Sequence, residues 1–204
     1  MKKEVDQFTK ETLKVPKIVA TLPTFARKQE PIKKIANLNG ILQKIIELRA
    51  FHFKVNNVQV FKDLDPAFPL MLIDPYQMQQ VFLTLINHAI KSMTEAHKKG
   101  SLSITTHKTG NKVRIQISDD GPGISKEQIT KIFDPLTAKE GEDDGAGLDL
   151  SISYGIVKDN EGEIWAESEV GKGASFLIEF PTPTLKHYKE EVYDRKNALQ
   201  AVGI

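Results

Sequence analysis

The segments SLSITTHK and KVRIQISD alternate polar and apolar side chains almost residue by residue, with Thr109, Gly110 and Asn111 between them. A period of two puts every apolar side chain on one face of an extended chain. An α-helix cannot use that pattern, so the pair predicts two half-buried strands closed by a hairpin turn. A second hairpin is predicted in EIWAESEVGKGASFLIEF, turning at residues 170–173. The flanking sequence has helical spacing instead. In NLNGILQKIIELRAFHF, Ile41, Leu42, Ile45, Ile46 and Leu48 are expected on a buried side, and a short strand VQVFKDL follows. LMLID reads as another short strand. Asp74 and Pro75 then open a long helix to about His97, because proline fits the first helical turn. On that helix Val81, Leu85, His88 and Ser92 share one side, with Phe82, Ile86, Ala89 and Met93 adjoining. Helix-then-strand order around two hairpins predicts an α+β domain.

Beyond that core, residues 3–28 have loosely helical apolar spacing interrupted by Pro16 and Pro23, which predicts a helix with two kinks. The polar run KQEPIKK marks a linker. KEQITKIF is expected to be a short helix, residues 148–159 another, and LKHYKEEVYDRKNALQ a polar surface helix. The expected division is a first helical segment at 1–30, a linker at 31–36, the main domain at 37–182 and a helical extension at 183–204.

At 204 residues, 40% hydrophobic and 27% charged, the composition is that of an ordinary soluble protein. The net charge of +1 gives no reason to expect nucleic acid or an acidic membrane as a partner. No apolar run approaches the roughly 20 residues needed to span a bilayer, and the first residues lack the apolar stretch of a signal peptide, so the chain is expected to be cytoplasmic. Without cysteine, disulfides, thiolate zinc sites and thiol catalysis are excluded. Chemistry must use carboxylates, histidine, lysine, hydroxyls or backbone.

The stretch EGEDDGAGLDLSISYGIV raises a conflict. It reads as a glycine-hinged loop entering a helix, whose free N–H groups attract anions, yet it carries Glu142, Asp143, Asp144 and Asp149. Its context decides how it is read. In order, QQVFLTLINHAIKSM, ISDDGPGIS, IFDPL, GAGLDLSISYGIVKDNEG and GKGASFLIEFP resemble the ATP-binding domain of sensor histidine kinases, within the superfamily shared with DNA gyrase, Hsp90 chaperones and mismatch-repair ATPases. The resemblance covers residues 38–181, and ATLPTFARKQEP upstream resembles the second helix of the kinase dimerisation domain.

That resemblance implies a two-layer α/β sandwich of the Bergerat type, a mixed sheet covered by helices on one face and preceded by a helix, with nucleotide under a mobile lid. It implies that Asp119 accepts a hydrogen bond from the adenine amino group and that Asp120, where the family has Asn, matters less. Gly121 and Gly123 are expected to let the backbone pass close to the base. Phe133 matches the aromatic before the lid, and Gly145, Gly147 and Leu148 match the segment that closes over the phosphates. Lys91 matches a phosphate-contacting position, with a solvated helix lysine as the plainer reading.

Departures cluster on the phosphate side. Where the family has Asn or Glu four residues before a second Asn, this chain has Thr84 and His88, one helical turn apart on one face. His88 is the candidate metal ligand by position, but Mg²⁺ prefers hard oxygen donors, and the plainer reading is a hydrogen-bonded histidine in a half-open cleft. Asp149 replaces a glycine of the family's lid run. A carboxylate roughly 5 Å from a phosphate costs about 3 kcal/mol at an effective dielectric near 20, a hundredfold or more in affinity. On its own terms Asp149 would satisfy free N–H groups and complement the dipole of its helix. Ala174 stands where the family has a Thr supporting the adenine, with Ser175 as a replacement.

None of His52, His88, His97, His107 or His187 has the setting of the family's phosphoacceptor, an acidic residue directly after it in a first dimerisation helix. Pro16 and Pro23 each cost about 3 kcal/mol inside a helix, which weakens the one dimerisation helix that remains. Two expectations follow. One is the ATP-binding catalytic domain of a two-component histidine kinase, a transferase in a phosphorelay that uses ATP or ADP and Mg²⁺. The other is a pseudokinase-like module that docks to a partner kinase or response regulator without phosphotransfer. Serine-kinase relatives that bind sigma factors fit the FARKQEP segment less well. The chain is expected to be a monomer or weak dimer.

Overall fold

The computed structural model describes residues 32–135 and 146–183, all within one compact unit, Pro31–Ile204. The first segment with its two prolines, the acidic loop at 136–145 and the C-terminal extension from residue 184 lie outside the described residues.

In chain order the elements are β1 (Lys34–Ala36), α1 (Leu38–Val55), β2 (Val58–Leu64), β3 (Met71–Ile73), α2 (Pro75–His97), β4 (Gly100–Thr109), β5 (Lys112–Asp119), α3 (Lys126–Ile129), α4 (Ala146–Asp159), β6 (Glu163–Ser168) and β7 (Ala174–Pro181). Five strands form one sheet in the order β2-β4-β5-β7-β6. β2 runs parallel to β4 and every other pairing is antiparallel. A parallel neighbour needs a long crossover, and α2 lies in that connection. The two-layer α+β sandwich expected from the sequence is the observed architecture.

The alternation noted in the sequence sorts the two faces. Val113, Ile115 and Ile117 of β5 and Phe176, Ile178 and Phe180 of β7 are buried in the core with α1 and α2. Arg114, Gln116 and Ser118 take the other face. There Arg114 and Lys112 hold the Glu179 carboxylate, which depresses its pKa below the ordinary carboxylate value, and the Arg114 guanidinium lies 5.6 Å from the Trp165 ring centroid.

α2 carries the apolar stripe Met78, Val81, Phe82, Leu85, Ile86, Ala89, Ile90 and Met93, all buried. Asp74 caps it, its Oδ1 accepting from the N–H groups of Tyr76 at 2.9 Å and Gln77 at 3.2 Å, with Pro75 in the first turn. Its Oδ2 accepts from the Ile32 N–H at 2.9 Å. One buried carboxylate thus satisfies three donors. Asp74→Ala should therefore lower stability by about 2 kcal/mol, seen as a lower urea midpoint at unchanged slope.

Three local expectations are corrected. Residues 34–36, read as the end of a linker, form β1 and pair antiparallel with residues 71–73, which absorbs the LMLID strand into a separate two-stranded sheet. Leu48 is not on the buried side of α1 but is 66% exposed. The buried stripe is Leu38, Leu42, Ile45, Ile46 and Phe53, and Leu48 lies about 110° from its centre at about 100° per residue. KEQITKIF is helical only over Lys126–Ile129, capped reciprocally by Ser125 and Gln128. Lys131, Ile132 and Asp134 then bond three residues back rather than four, a tighter winding that stops before Pro135.

Candidate functional site

The end of β5 positions Asp119, opposite Leu102 of β4 and Ala174 of β7. The inward phase of the alternation buries the carboxylate at 7% exposure. Oδ1 accepts from the Gly121 N–H at 2.9 Å. Oδ2 is sealed from solvent and has no hydrogen-bond partner among the described residues. Burial pushes the Asp119 pKa up, opposed by the N–H groups of Gly121 and Ala174 and reinforced by the negative charge of Asp120. A buried carboxylate oxygen left open is costly unless a donor from outside completes it.

Around Asp119 two turns lock together through backbone groups and the Ser168 hydroxyl. Gly171 donates its N–H to Pro122 O at 2.8 Å, Ile124 donates to Ser168 Oγ at 2.8 Å, and Ser168 Oγ–H donates to Gly173 O at 2.6 Å. A Cβ at Gly123 would sit 2.2 Å from Glu169 O, and one at Gly121 would sit 2.7 Å from Asp119 Oδ1 and 2.8 Å from Ser92 Oγ. Sequence reasoning gave these glycines to the nucleotide base. The geometry gives them first to the protein: Gly123 admits the β6–β7 turn, and Gly121 admits the Asp119 carboxylate and α2.

Asp120 is exposed and its Oδ1 accepts from the Ser101 N–H at 2.8 Å, which fixes the start of β4. Ser175, expected to replace the missing Thr, is corrected. It pairs with Ser118, Oγ to Oγ at 2.7 Å, on the face of the sheet opposite to Asp119, because adjacent strand residues point to opposite sides.

Thr84 and His88 both lie half-buried on α2. The His88 ring meets Phe176 edge-on, centroids 5.2 Å apart at 77°. Phe133 stands 6.3 Å from the same Phe176 ring and 5.6 Å from Tyr154 of α4. An aromatic chain therefore links α2, β7, the segment before residue 136 and α4. Phe176 was legible as an inward strand residue; Tyr154 had no sequence signal, and only packing selects it. Mg²⁺ prefers oxygen donors, so the ring-packed imidazole of His88 is a poor fit to it, while the Thr84 hydroxyl is still an oxygen donor. Among the described residues no group of three or more His, Asp or Glu side chains could hold a metal ion.

Lys91 Nζ lies 3.9 Å from the Glu95 carboxylate one turn along α2. Gly147 and Leu148 are the second and third residues of α4, and Gly145 lies outside the described residues. Asp149 is exposed and follows them within the first turn. As the fourth residue of the helix, it places its negative charge where it complements the helix dipole.

The sequence matches the family described as histidine kinase-, DNA gyrase B-, and HSP90-like ATPase over residues 73–184. It is 28% identical over 177 residues to the sensor protein FixL of Bradyrhizobium diazoefficiens, covering 87% of this chain and 35% of that protein. It is 32% identical over 144 residues to the adaptive-response sensory kinase SasA of Synechococcus elongatus, covering 69% of this chain and 36% of that protein. The chain thus spans little more than a third of the length of these relatives. The fold aligns with the nucleotide-free catalytic domain of the histidine kinase ThkA at a TM-score of 0.65 and 28% identity, over 74% of this chain and 95% of that one.

Proposed function

Because the chain belongs to the histidine kinase-, DNA gyrase B- and HSP90-like ATPase family, we propose that residues 37–182 are the ATP-binding catalytic domain of a two-component sensor histidine kinase whose phosphate half is altered. The observation that carries the nucleotide assignment is the open Oδ2 of Asp119, a buried acceptor beside a glycine turn. An exocyclic amino group supplies the donor this atom lacks, which favours adenine over a base with a carbonyl there. The direct test is calorimetric titration with ATP, ADP and GTP: adenine nucleotides bind and GTP does not. Equal affinity for ATP and GTP would reject the adenine assignment.

On the phosphate side, His88 offers nitrogen where the family has an amide oxygen, Thr84 offers a hydroxyl in place of an amide or carboxylate, and Asp149 adds a charge to the first turn of α4. ADP and ATP are therefore expected to bind with similar weak affinity, and Mg²⁺ to add little. Restoring His88→Asn together with Asp149→Gly should strengthen Mg-ATP binding more than either change alone, by about tenfold or more. Asp149→Gly is expected to lower stability by about 1 kcal/mol through backbone freedom in the helix, so thermal unfolding is recorded beside each titration. If the parent chain binds Mg-ATP in the low micromolar range and the double variant is no tighter, the altered phosphate half is refuted.

Phosphotransfer from this domain needs a histidine outside these 204 residues, since none of the five here has the acceptor setting. The second reading, a module that docks to a kinase or response regulator without transfer, is favoured by the imidazole at position 88, a nitrogen donor packed edge-on against Phe176. Incubation with radiolabelled ATP and a histidine-bearing dimerisation domain separates the two: label on the partner supports the catalytic reading and its absence the docking one.

A further inference from the structure

α1 has a second apolar stripe that the described core does not use. Leu48, Phe51 and Val55 are 66%, 72% and 60% exposed. With Ile41, half-buried against the core, and exposed Lys44 they occupy positions 41, 44, 48, 51 and 55. That is an alternating three-four spacing, the seam of a two-stranded coiled contact, and at about 100° per residue the five side chains fall within about 80° of arc. Scattered exposed apolar residues are ordinary; a heptad seam on a helix already anchored by its opposite face is not.

The charges beside the seam select its occupant. Glu47 and Lys54 are both exposed and flank the seam on the side away from the core, seven residues apart and opposite in sign. In a parallel pair neither would meet its complement across the seam. In an antiparallel pair about a two-fold axis, flanking positions on the same side face each other, so Glu47 meets Lys54 of the other copy twice. The same axis sets Leu48 against Phe51 and Val55 against the aliphatic stem of Lys44, also twice. A patch that complements itself in register and in charge is isologous.

We propose that this seam is an antiparallel, two-fold contact between α1 of this chain and α1 of a second copy. The overlapping residues, 44–55, cover about 18 Å of helix, well short of a standard interface, so the association is weak and concentration-dependent. It leaves the Asp119 site free, since that site is built from β5, β7 and α2, and so stands independently of the nucleotide assignment.

The test is sedimentation equilibrium of the full chain from micromolar to near-millimolar concentration, on the parent and on Phe51→Glu, Glu47→Lys, Lys54→Glu and the Glu47→Lys/Lys54→Glu pair. The parent is expected to show a monomer–dimer equilibrium and Phe51→Glu to abolish it. Each single charge reversal turns two attractions into repulsions and should weaken the dimer about tenfold, while the double reversal restores it. Circular dichroism checks folding; if Phe51→Glu does not fold, the charge series alone decides. A parent that is monomeric throughout, a dimer indifferent to Phe51→Glu, or a double reversal no better than the singles each overturns the proposal.

Discussion

Asp119→Asn is expected to weaken adenine nucleotide binding by about a hundredfold or more, since a hydrogen bond to a charged group is worth about 1.5–3 kcal/mol and the new amide would set a donor against the adenine donor. The folded protein should survive the change. Oδ1 keeps its bond from Gly121, and the variant no longer buries a charge whose second oxygen has no hydrogen-bond partner among the described residues. The pH dependence follows from the same burial. Burial raises the Asp119 pKa above its ordinary value, so between those two values the folded state holds a proton that the unfolded chain has released. Stability from this group is present below the ordinary value and is lost as pH rises through the raised one. Nucleotide affinity runs the opposite way, because only the ionised carboxylate accepts freely, and it should fall as pH drops through the raised pKa. Asp119→Asn should flatten both profiles. Calorimetric titration and urea unfolding across mildly acid to neutral pH provide the check; unchanged affinity in the variant would sink the assignment.

The second large effect is expected from the β6–β7 turn. Gly173 has φ +79°, and a Cβ there would sit 1.9 Å from the backbone oxygen of Asp119. Gly171, two residues earlier, has φ +84° with nothing within 4 Å of its Cβ position. Both positions carry the backbone penalty of a left-handed L-residue, about 1–2 kcal/mol, but only Gly173 adds a collision with strand backbone that cannot rotate away. Gly173→Ala should lose about 3–5 kcal/mol, against about 1 kcal/mol for Gly171→Ala. Whatever Gly173→Ala still folds should bind nucleotide poorly, since the displaced atoms carry Asp119. Chemical denaturation of the two variants side by side measures the difference, and equal losses would show that the close approach is not what the glycine serves.

Much of the fold was legible because its signals are local. Strict alternation in β4 and β5, helical spacing and a Pro-primed start in α2, and the glycine turns each depend on neighbouring residues alone. The order of those motifs singled out Asp119 and the aromatic Phe133 as candidates. Sequence reasoning failed where a neighbour distant in the chain decides. β1 is a strand only because residues 71–73 lie beside it, and nothing in Lys34, Ile35 and Ala36 marks it. Ser175 was misplaced by one residue, which on a strand is the whole width of the sheet. Leu48 was assigned to the core although the buried stripe of α1 turns away from it.

By itself the sequence determined the α+β class, the inward and outward faces of β5 and β7, and the residue types available for chemistry, because side-chain periodicity and chemical identity are written residue by residue. Only the tertiary structure decided that one oxygen of Asp119 lacks a partner among the described residues, that Gly123 and Gly173 hold two turns in backbone contact, and that His88, Phe176, Phe133 and Tyr154 form one aromatic chain. Those properties belong to distances between segments far apart in the chain, and such distances exist only once hydrophobic burial has packed α2 and α4 against the sheet.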